Sequence, residues 1–131
     1  MKEIPVGAKG KSEQVVAKSH LASELEPSLA QVMSTPTMIG MMELAAMDAI
    51  KPYLDPGEGS VGISIDAQHT AATPPNHRVR AEAEVTKSEG RRLEFKVTAF
   101  DDTEQIGSGV HRRAVIDTAK FNERLKAKVK L

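Results

Sequence analysis

A helix predicted between residues 36 and 51 constrains the fold of this chain more than any other feature. Met, Leu and Ala dominate the segment, and apolar residues lie on every side of it. Thr35 is the predicted N-cap. Pro36 suits the first helical position, because proline has no N–H and an N–H at that position would have no hydrogen-bond partner within the helix. Pro52 ends the segment. A helix that is apolar all round is normally enclosed on most sides, so we predict a buried central helix.

Most of the remaining chain has the pattern of β-strands. Apolar and polar residues alternate with a period of two in three segments after the helix, which is typical of strands with one buried face. A fourth segment contains Gly107 and Gly109, which suggest a bulge or a close approach of the backbone. The four segments are residues 60–70, 77–87, 92–100 and 105–116, and a further strand is predicted over residues 11–18.

The connections complete a one-sheet arrangement. Residues 19–35 are predicted to form a loop with one helical turn, and residues 88–91 a hairpin turn in which Gly90 supplies the positive φ. Residues 118–129 are predicted to form a basic C-terminal helix. The predicted order is a strand, the buried helix and four antiparallel strands in a meander, which belongs to the α+β fold class. Because one sheet covers only one side of the helix, we expect a second copy of the protein to cover the other.

Composition excludes several classes of protein. The 131 residues fit a single domain over residues 1–131, since chains divide mostly beyond roughly 250 residues. The absence of Cys excludes disulfides and thiolate sites, and the four scattered His give no zinc-binding spacing, so we predict no metal. Eighteen Lys and Arg balance eighteen Asp and Glu, which argues against nucleic-acid and anionic-membrane partners.

Signals for secretion or membrane insertion are also missing from the sequence. Residues 1–13 contain no long apolar run, which argues against a secretory signal. The most apolar stretch, residues 38–50, is interrupted by Glu43 and Asp48 and is shorter than the roughly 20 residues that span a bilayer. We therefore expect a cytoplasmic protein without a membrane partner.

Four blocks of sequence resemble a known family. They are TPTMIGMMELAAMDAIKPYLDPGEGSVG, HTAATPP, EGRRLEFKVTAFDD and EQIGSGVHRRAVID. In this order they resemble the hotdog-fold thioesterases of the fluoroacetyl-CoA thioesterase type, from about residue 6 to residue 128. The resemblance implies a hotdog fold, in which an antiparallel sheet wraps a long central helix, and a homodimer or dimer of dimers. The implied activity is hydrolysis of an acyl-CoA thioester, with CoA as part of the substrate and no other cofactor.

The resemblance also implies a set of site residues. Members of the family use a threonine just before the helix, a glutamate inside it and a histidine at the end of the next strand, which fall on Thr35, Glu43 and His69. They also use a strand glycine and a late arginine for substrate, which fall on Gly62 and Arg113.

The two titratable residues have both functional and structural interpretations. Glu43 is the only charged residue between residues 38 and 47, and burying a lone carboxylate costs several kcal/mol unless it is partnered. The structural interpretation is that Glu43 is exposed to solvent or forms a salt bridge at a dimer interface. The functional interpretation is that it acts on a thioester as general base or nucleophile. His69 is either a surface or capping residue, or a group that orients the carboxylate, passes a proton to the leaving thiolate, or does both. His77 and His111 are predicted as exposed strand residues.

The other three residues also keep two interpretations each. Thr35 is either the N-cap or a hydroxyl that bonds the carboxylate or substrate, although about 12 Å of helix separates it from Glu43. Gly62 either allows close packing or presents its N–H to the thioester oxygen. Arg113 either lies at a solvated strand edge or contacts the phosphates or pantetheine arm of CoA.

One segment departs from the family pattern, and two other functions remain open. Members devoted to fluoroacetyl-CoA carry Phe residues ahead of the helix, whereas residues 25–34 contain no aromatic residue, so we expect another acyl group or a broader range. The alternatives are a non-catalytic hotdog protein that binds acyl-CoA or another small ligand, and an enoyl-CoA hydratase.

Overall fold

A computed structural model describes residues 1–129 and contains a five-stranded antiparallel sheet and one long helix. Every element predicted from the sequence is present, with ends shifted by a few residues. Within residues 1–129 no helix combines the length and apolar character needed to cross a bilayer. The helices are α1 (Ala22–Leu25), α2 (Thr35–Ile50) and α3 (Thr118–Val129), with short 3₁₀ turns at Lys18–His20 and Lys51–Tyr53. The strands are β1 (Lys9–Val15), β2 (Glu58–His69), β3 (Arg78–Glu89), β4 (Arg92–Phe100) and β5 (Gln105–Asp117).

The order of the strands across the sheet is β1-β3-β4-β5-β2, and all neighbours are antiparallel. The predicted four-strand meander is wrong for β2, which pairs with β5 instead of β3. Alternation shows which residues form a strand and which face is buried, but it does not identify the neighbouring strand. As a result, β1 and β2 are the edges of the sheet in the part of the chain that the structure describes.

Helix α2 packs against one face of the sheet and touches β1, β2, β3 and β4. Met38 on α2 is fully buried, and Gly107 of β5 makes the close approach that the sequence suggested, since a Cβ there would lie 2.6 Å from the Met38 sulfur. Leu44 and Met47, by contrast, are 52% and 42% exposed. Residues 1–129 therefore cover the helix on one side only, as predicted.

The start of α2 differs from the prediction by one residue. Ser34 is the N-cap, because its Oγ accepts a hydrogen bond from the Thr37 N–H at 3.2 Å. The prediction that Thr35 caps the helix is wrong; Ser and Thr are both good cap residues, so residue type alone does not choose between neighbours. Thr35 is the first helical residue, and its hydroxyl is available for another contact.

Strand β2 contains a bulge opposite β5. Gly62 pairs with Arg113 whereas Ser64 pairs with Arg112, so Ile63 is an extra residue of β2. This register places Gly62 and Arg113 directly opposite each other on the face that meets α2.

Candidate active site

Thr35 and His69 form a polar pair at the N-terminus of α2. Strand β2 ends at His69 beside the first turn of the helix, and Thr35 Oγ1 lies 2.9 Å from His69 Nδ1. The Nε2 atom of His69 is buried and has no hydrogen-bond partner among residues 1–129. The sequence identified both residues as candidates, but it did not predict that the Thr35 hydroxyl would bond the imidazole.

The surroundings of this pair favour a neutral imidazole. Burial lowers the pKa of His69, and the backbone of Ala71 opposes this in part. A neutral imidazole near pH 7 can take up a proton as a general base. A cavity of about 280 Å³ opens beside the ring. Its other lining residues are small or apolar for the most part: Ala22, Val32, Met33, Ser34, Thr70, Ala71 and Ala72.

Glu43 and Arg113 form a second polar pair, midway along α2. Arg113 Nη1 donates to Glu43 Oε2 at 2.9 Å. The Arg113 side chain is only 4% exposed, and it also donates to Ser60, from Nε to Oγ at 2.9 Å and from Nη2 to the carbonyl oxygen at 3.1 Å. The Glu43 side chain is 40% exposed, so solvent reaches the carboxylate. The interpretation of Arg113 as a solvated strand-edge residue is wrong.

Gly62 lets strand β2 approach the Glu43–Arg113 pair. A Cβ at this position would lie 2.9 Å from Glu43 Oε2 and 3.5 Å from Arg113 Nη1. The sequence suggested close packing against the helix as one interpretation of Gly62. The structure specifies the contact: the glycine faces the carboxylate and the guanidinium.

His111 belongs to the same cluster, and sequence reasoning missed it. The prediction of an exposed strand residue is wrong, because His111 is 1% exposed. Its Nε2 lies 3.1 Å from Arg113 Nη1, and its Nδ1 lies 2.8 Å from the Ser64 carbonyl oxygen. Its ring stacks on Phe95, with 6.0 Å between the two ring centroids. The period of two in β5 places residues 111, 113 and 115 on one face, and this was the available signal. His77 is exposed as predicted, with 53% of its side chain accessible.

The two polar pairs do not meet within one chain. Thr35 and Glu43 are separated by about 12 Å along the helix axis, at roughly 1.5 Å per residue. Glu43 is bonded to Arg113, and His69 to Thr35, and no hydrogen bond joins the two pairs in residues 1–129. The structure therefore brings the five predicted site residues together as two groups: Thr35 with His69, and Glu43 with Gly62 and Arg113.

A curled antiparallel sheet packed on one long helix, with a carboxylate on that helix and a histidine at the end of an edge strand, is the arrangement of a hotdog-fold protein. Comparison with known proteins gives the family. Residues 16–119 match the FlK family, described as fluoroacetyl-CoA-specific thioesterase. This chain belongs to the FlK family.

Individual relatives agree with this assignment. The fluoroacetyl-CoA thioesterase of Streptantibioticus cattleyicolor is 50% identical over 98 residues, which are 75% of this chain and 70% of the relative. A solved structure of the fluoroacetyl-CoA thioesterase FlK is 42% identical, with a TM-score of 0.89 over 95% of this chain and 97% of that chain. A thioesterase superfamily member from Thermus thermophilus is 34% identical, with a TM-score of 0.88 over 98% of this chain and 97% of that chain. The chain is therefore a thioester hydrolase with the hotdog fold.

Proposed function

We propose that this acyl-CoA thioesterase cleaves short acyl-CoAs with Thr35, Glu43 and His69 as its catalytic residues. The observation that carries the proposal is the hydrogen bond between the Thr35 hydroxyl and a half-buried His69, whose pKa is lowered by burial, in a chain whose helix also holds a solvent-accessible carboxylate. An imidazole and a carboxylate together supply the acid–base chemistry that thioester cleavage needs.

Each group has a distinct role in the proposed reaction. Glu43 acts on the carbonyl carbon, either through a water molecule as general base or directly as nucleophile. As a base, Glu43 takes a proton from the water whose oxygen forms the new C–O bond; the C–S bond then breaks, and the CoA thiolate receives a proton through His69. As a nucleophile, Glu43 forms a mixed anhydride while the C–S bond breaks and the thiolate is protonated through His69; water then hydrolyses the anhydride, which restores the carboxylate and returns the proton to His69. Thr35 holds the imidazole by its hydrogen bond to Nδ1. Arg113 orients the carboxylate, and the Gly62 N–H is the proposed donor to the thioester oxygen.

The acyl group is proposed to be short but not restricted to fluoroacetyl. The relative from Streptantibioticus cattleyicolor is a fluoroacetyl-CoA thioesterase. In this chain residues 25–34 contain no aromatic side chain, and Leu25 and Leu29 are 64% and 49% exposed. The open cavity beside His69, with its small lining residues, supports a wider range of short acyl groups.

A panel of acyl-CoAs with a thiol-detecting dye tests the substrate proposal. Fluoroacetyl-, acetyl-, propionyl-, butyryl- and hexanoyl-CoA should be compared at equal concentration. We expect release of CoA from several of the short substrates, with acyl groups that differ by one methylene turned over at rates within about 200-fold of each other, because one methylene in an apolar pocket discriminates weakly. Turnover of fluoroacetyl-CoA alone would contradict the proposal. Binding without CoA release would indicate a binding protein, and hydration of crotonyl-CoA with the thioester intact would indicate a hydratase.

Replacing Gly62 by Ala should impair catalysis more than folding. The added Cβ would lie 2.9 Å from Glu43 Oε2, so the carboxylate must move away from its position beside Arg113. We expect kcat to fall about 10- to 100-fold, since a displacement of about 1 Å at a reacting group has effects of this size. The matched control is Gly59→Ala on the same strand, whose Cβ would meet only Thr118 Oγ1 at 3.5 Å. Equal kcat in the two variants would contradict the role of the Gly62 contact.

We also propose that the chain forms a homodimer through β2. The outer edge of β2 has no strand beside it within residues 1–129, and an unpaired edge is a ready site for strand addition. The uncovered side of α2, with Leu44 and Met47 exposed, lies next to the same edge across an open cleft that also contains Ser60. Light scattering should give about twice the 14.2 kDa of one chain. A monomer at assay concentration would contradict this proposal.

A shared active site would explain why one chain holds its two polar pairs apart. In a dimer that pairs β2 with the partner's β2, the Thr35–His69 pair of one protomer can face the Glu43–Arg113 pair of the other. Glu43→Gln and His69→Asn proteins should each be inactive, but their mixed dimers should recover activity. With random mixing, half of the dimers contain one chain of each variant, and each of these has one intact site out of two. The mixture should therefore show about a quarter of wild-type activity. Absence of recovery in purified mixed dimers would place both groups of each site on one protomer.

A further inference from the structure

The buried ring of His111 joins the Glu43–Arg113 pair to the bulge of β2. Both of its nitrogens are engaged, Nδ1 with the Ser64 carbonyl at 2.8 Å and Nε2 with Arg113 Nη1 at 3.1 Å. A carbonyl can only accept and a guanidinium can only donate. Nδ1 must therefore carry the proton and Nε2 must accept, so the contacts specify a neutral imidazole in one tautomer.

We propose that His111 is a positioning residue for catalysis, which fixes Arg113 and through it the Glu43 carboxylate by accepting a hydrogen bond at Nε2. The proposal rests on the function proposed above for Glu43. Arg113 Nη1 donates both to Glu43 Oε2 and to His111 Nε2, while its Nε and Nη2 donate to Ser60. Every nitrogen of the buried guanidinium is thus held, and His111 is the partner that shares the Nη1 atom with the carboxylate.

The position of His111 explains why this support is needed. Ile63 interrupts the ladder between β2 and β5, and a bulge weakens the local pairing. The ring of His111 spans this point, because Ser64 immediately follows the extra residue. It stacks on Phe95 of β4 on its other side. The imidazole therefore holds the bulged strand and the guanidinium in one arrangement.

The contact works only while His111 is neutral. The charged groups that face it are Arg113 on its own strand and Glu43 on α2, while β2 presents the Ser64 carbonyl and β4 presents Phe95. Burial lowers the pKa of His111; the Ser64 carbonyl raises it, Arg113 lowers it and Glu43 raises it, with a net decrease. Protonation of Nε2 would place an N–H against the N–H of Arg113 and remove the hydrogen bond.

The lowered pKa of His111 also determines how the free energy of unfolding changes with pH. Below the ordinary value of 6.5, the unfolded chain binds a proton at His111 more readily than the folded chain does. The contribution of the neutral ring to the free energy of unfolding is therefore fully present above pH 6.5 and decreases as the pH falls towards the lower, folded-state pKa.

Two variants separate positioning from simple filling of the core. His111→Phe keeps a ring against Phe95 but loses both hydrogen bonds, and we expect kcat to fall about 10- to 100-fold with a smaller change in KM. His111→Gln has a side-chain oxygen that can accept from Arg113, and we expect its kcat to stay within about threefold of wild type. Because the amide does not titrate, the Gln variant should lose less of its kcat than wild type between about pH 7.5 and about pH 5.

The outcomes can be read independently of the proposed role of Glu43. Nitrogen-15 NMR of the wild-type protein should show a protonated Nδ1 and an unprotonated Nε2 at His111; the opposite tautomer would overturn the proposal whatever the enzyme hydrolyses. A folded Phe variant with wild-type kcat would also overturn it. If the Phe variant does not fold, the Gln variant decides the question. A loss of more than 10-fold in its kcat, or a pH profile equal to that of wild type, would overturn the proposal. Wild-type activity in Glu43→Gln would instead refute the proposed function.

Discussion

Glu43→Gln is expected to lower kcat for release of CoA by about 10²- to 10⁴-fold, the usual contribution of a general base. The amide is nearly isosteric with the carboxylate, and its oxygen can still accept from Arg113 Nη1, which donates to Oε2 at 2.9 Å in the native chain. It lacks the charge needed to activate water or to attack a carbonyl carbon. Stopped-flow or steady-state assays with a thiol-detecting dye measure the loss.

Asp48→Asn is the matched control for Glu43→Gln. Asp48 lies on the same helix, is exposed, and accepts a hydrogen bond from the Lys11 N–H at 3.0 Å, which an Asn oxygen can also accept. We expect wild-type kcat in this variant, since the substitution removes one negative charge from α2 without touching the site. A Glu43→Gln enzyme that retains more than about a tenth of wild-type kcat would contradict a catalytic role for the carboxylate.

The elements of the fold could be predicted because they follow from local patterns. The apolar helix and the alternating strands are properties of consecutive residues. The neighbour of β2 could not be predicted in this way, because pairing with β5 joins residues such as Gly62 and Arg113 that are far apart in the sequence. Thr35 was identified as a helix-start residue, but the choice of Ser34 as the N-cap depends on which hydroxyl reaches the Thr37 N–H.

The site illustrates the same limit. The resemblance to the family identified Thr35, Glu43 and His69 as candidates, but it did not give their partners in space. Glu43 finds its partner, Arg113, across a separation of 70 residues. The interpretation of His111 failed because two arginines follow it in the sequence. Residue type suggested an exposed run, whereas the period of two buries alternate members of that run.

The largest effect on stability is expected from Gly10→Ala in β1. Gly10 pairs with Ala83 of β3 and lies directly on α2. An added Cβ would overlap the Ala45 carbonyl oxygen and the Ala49 nitrogen, and would lie 2.8 Å from Ala49 Cα. These are backbone atoms of a buried helix, so no side-chain rotation can relieve the overlap, and β1 must move away from the core. We expect a loss of about 3 kcal/mol or more in the free energy of unfolding, at the upper end of the usual cost of overpacking.

Gly59→Ala is the control for this effect, because it adds the same methyl group to another strand. A Cβ at Gly59 would make one ordinary contact, 3.5 Å from Thr118 Oγ1, and we expect its free energy of unfolding within about 1 kcal/mol of wild type. Urea titrations at equal protein concentration measure both variants, since association would make the apparent stability depend on concentration. If Gly10→Ala unfolds at the same urea midpoint as Gly59→Ala, then β1 does not need to lie against the helix backbone.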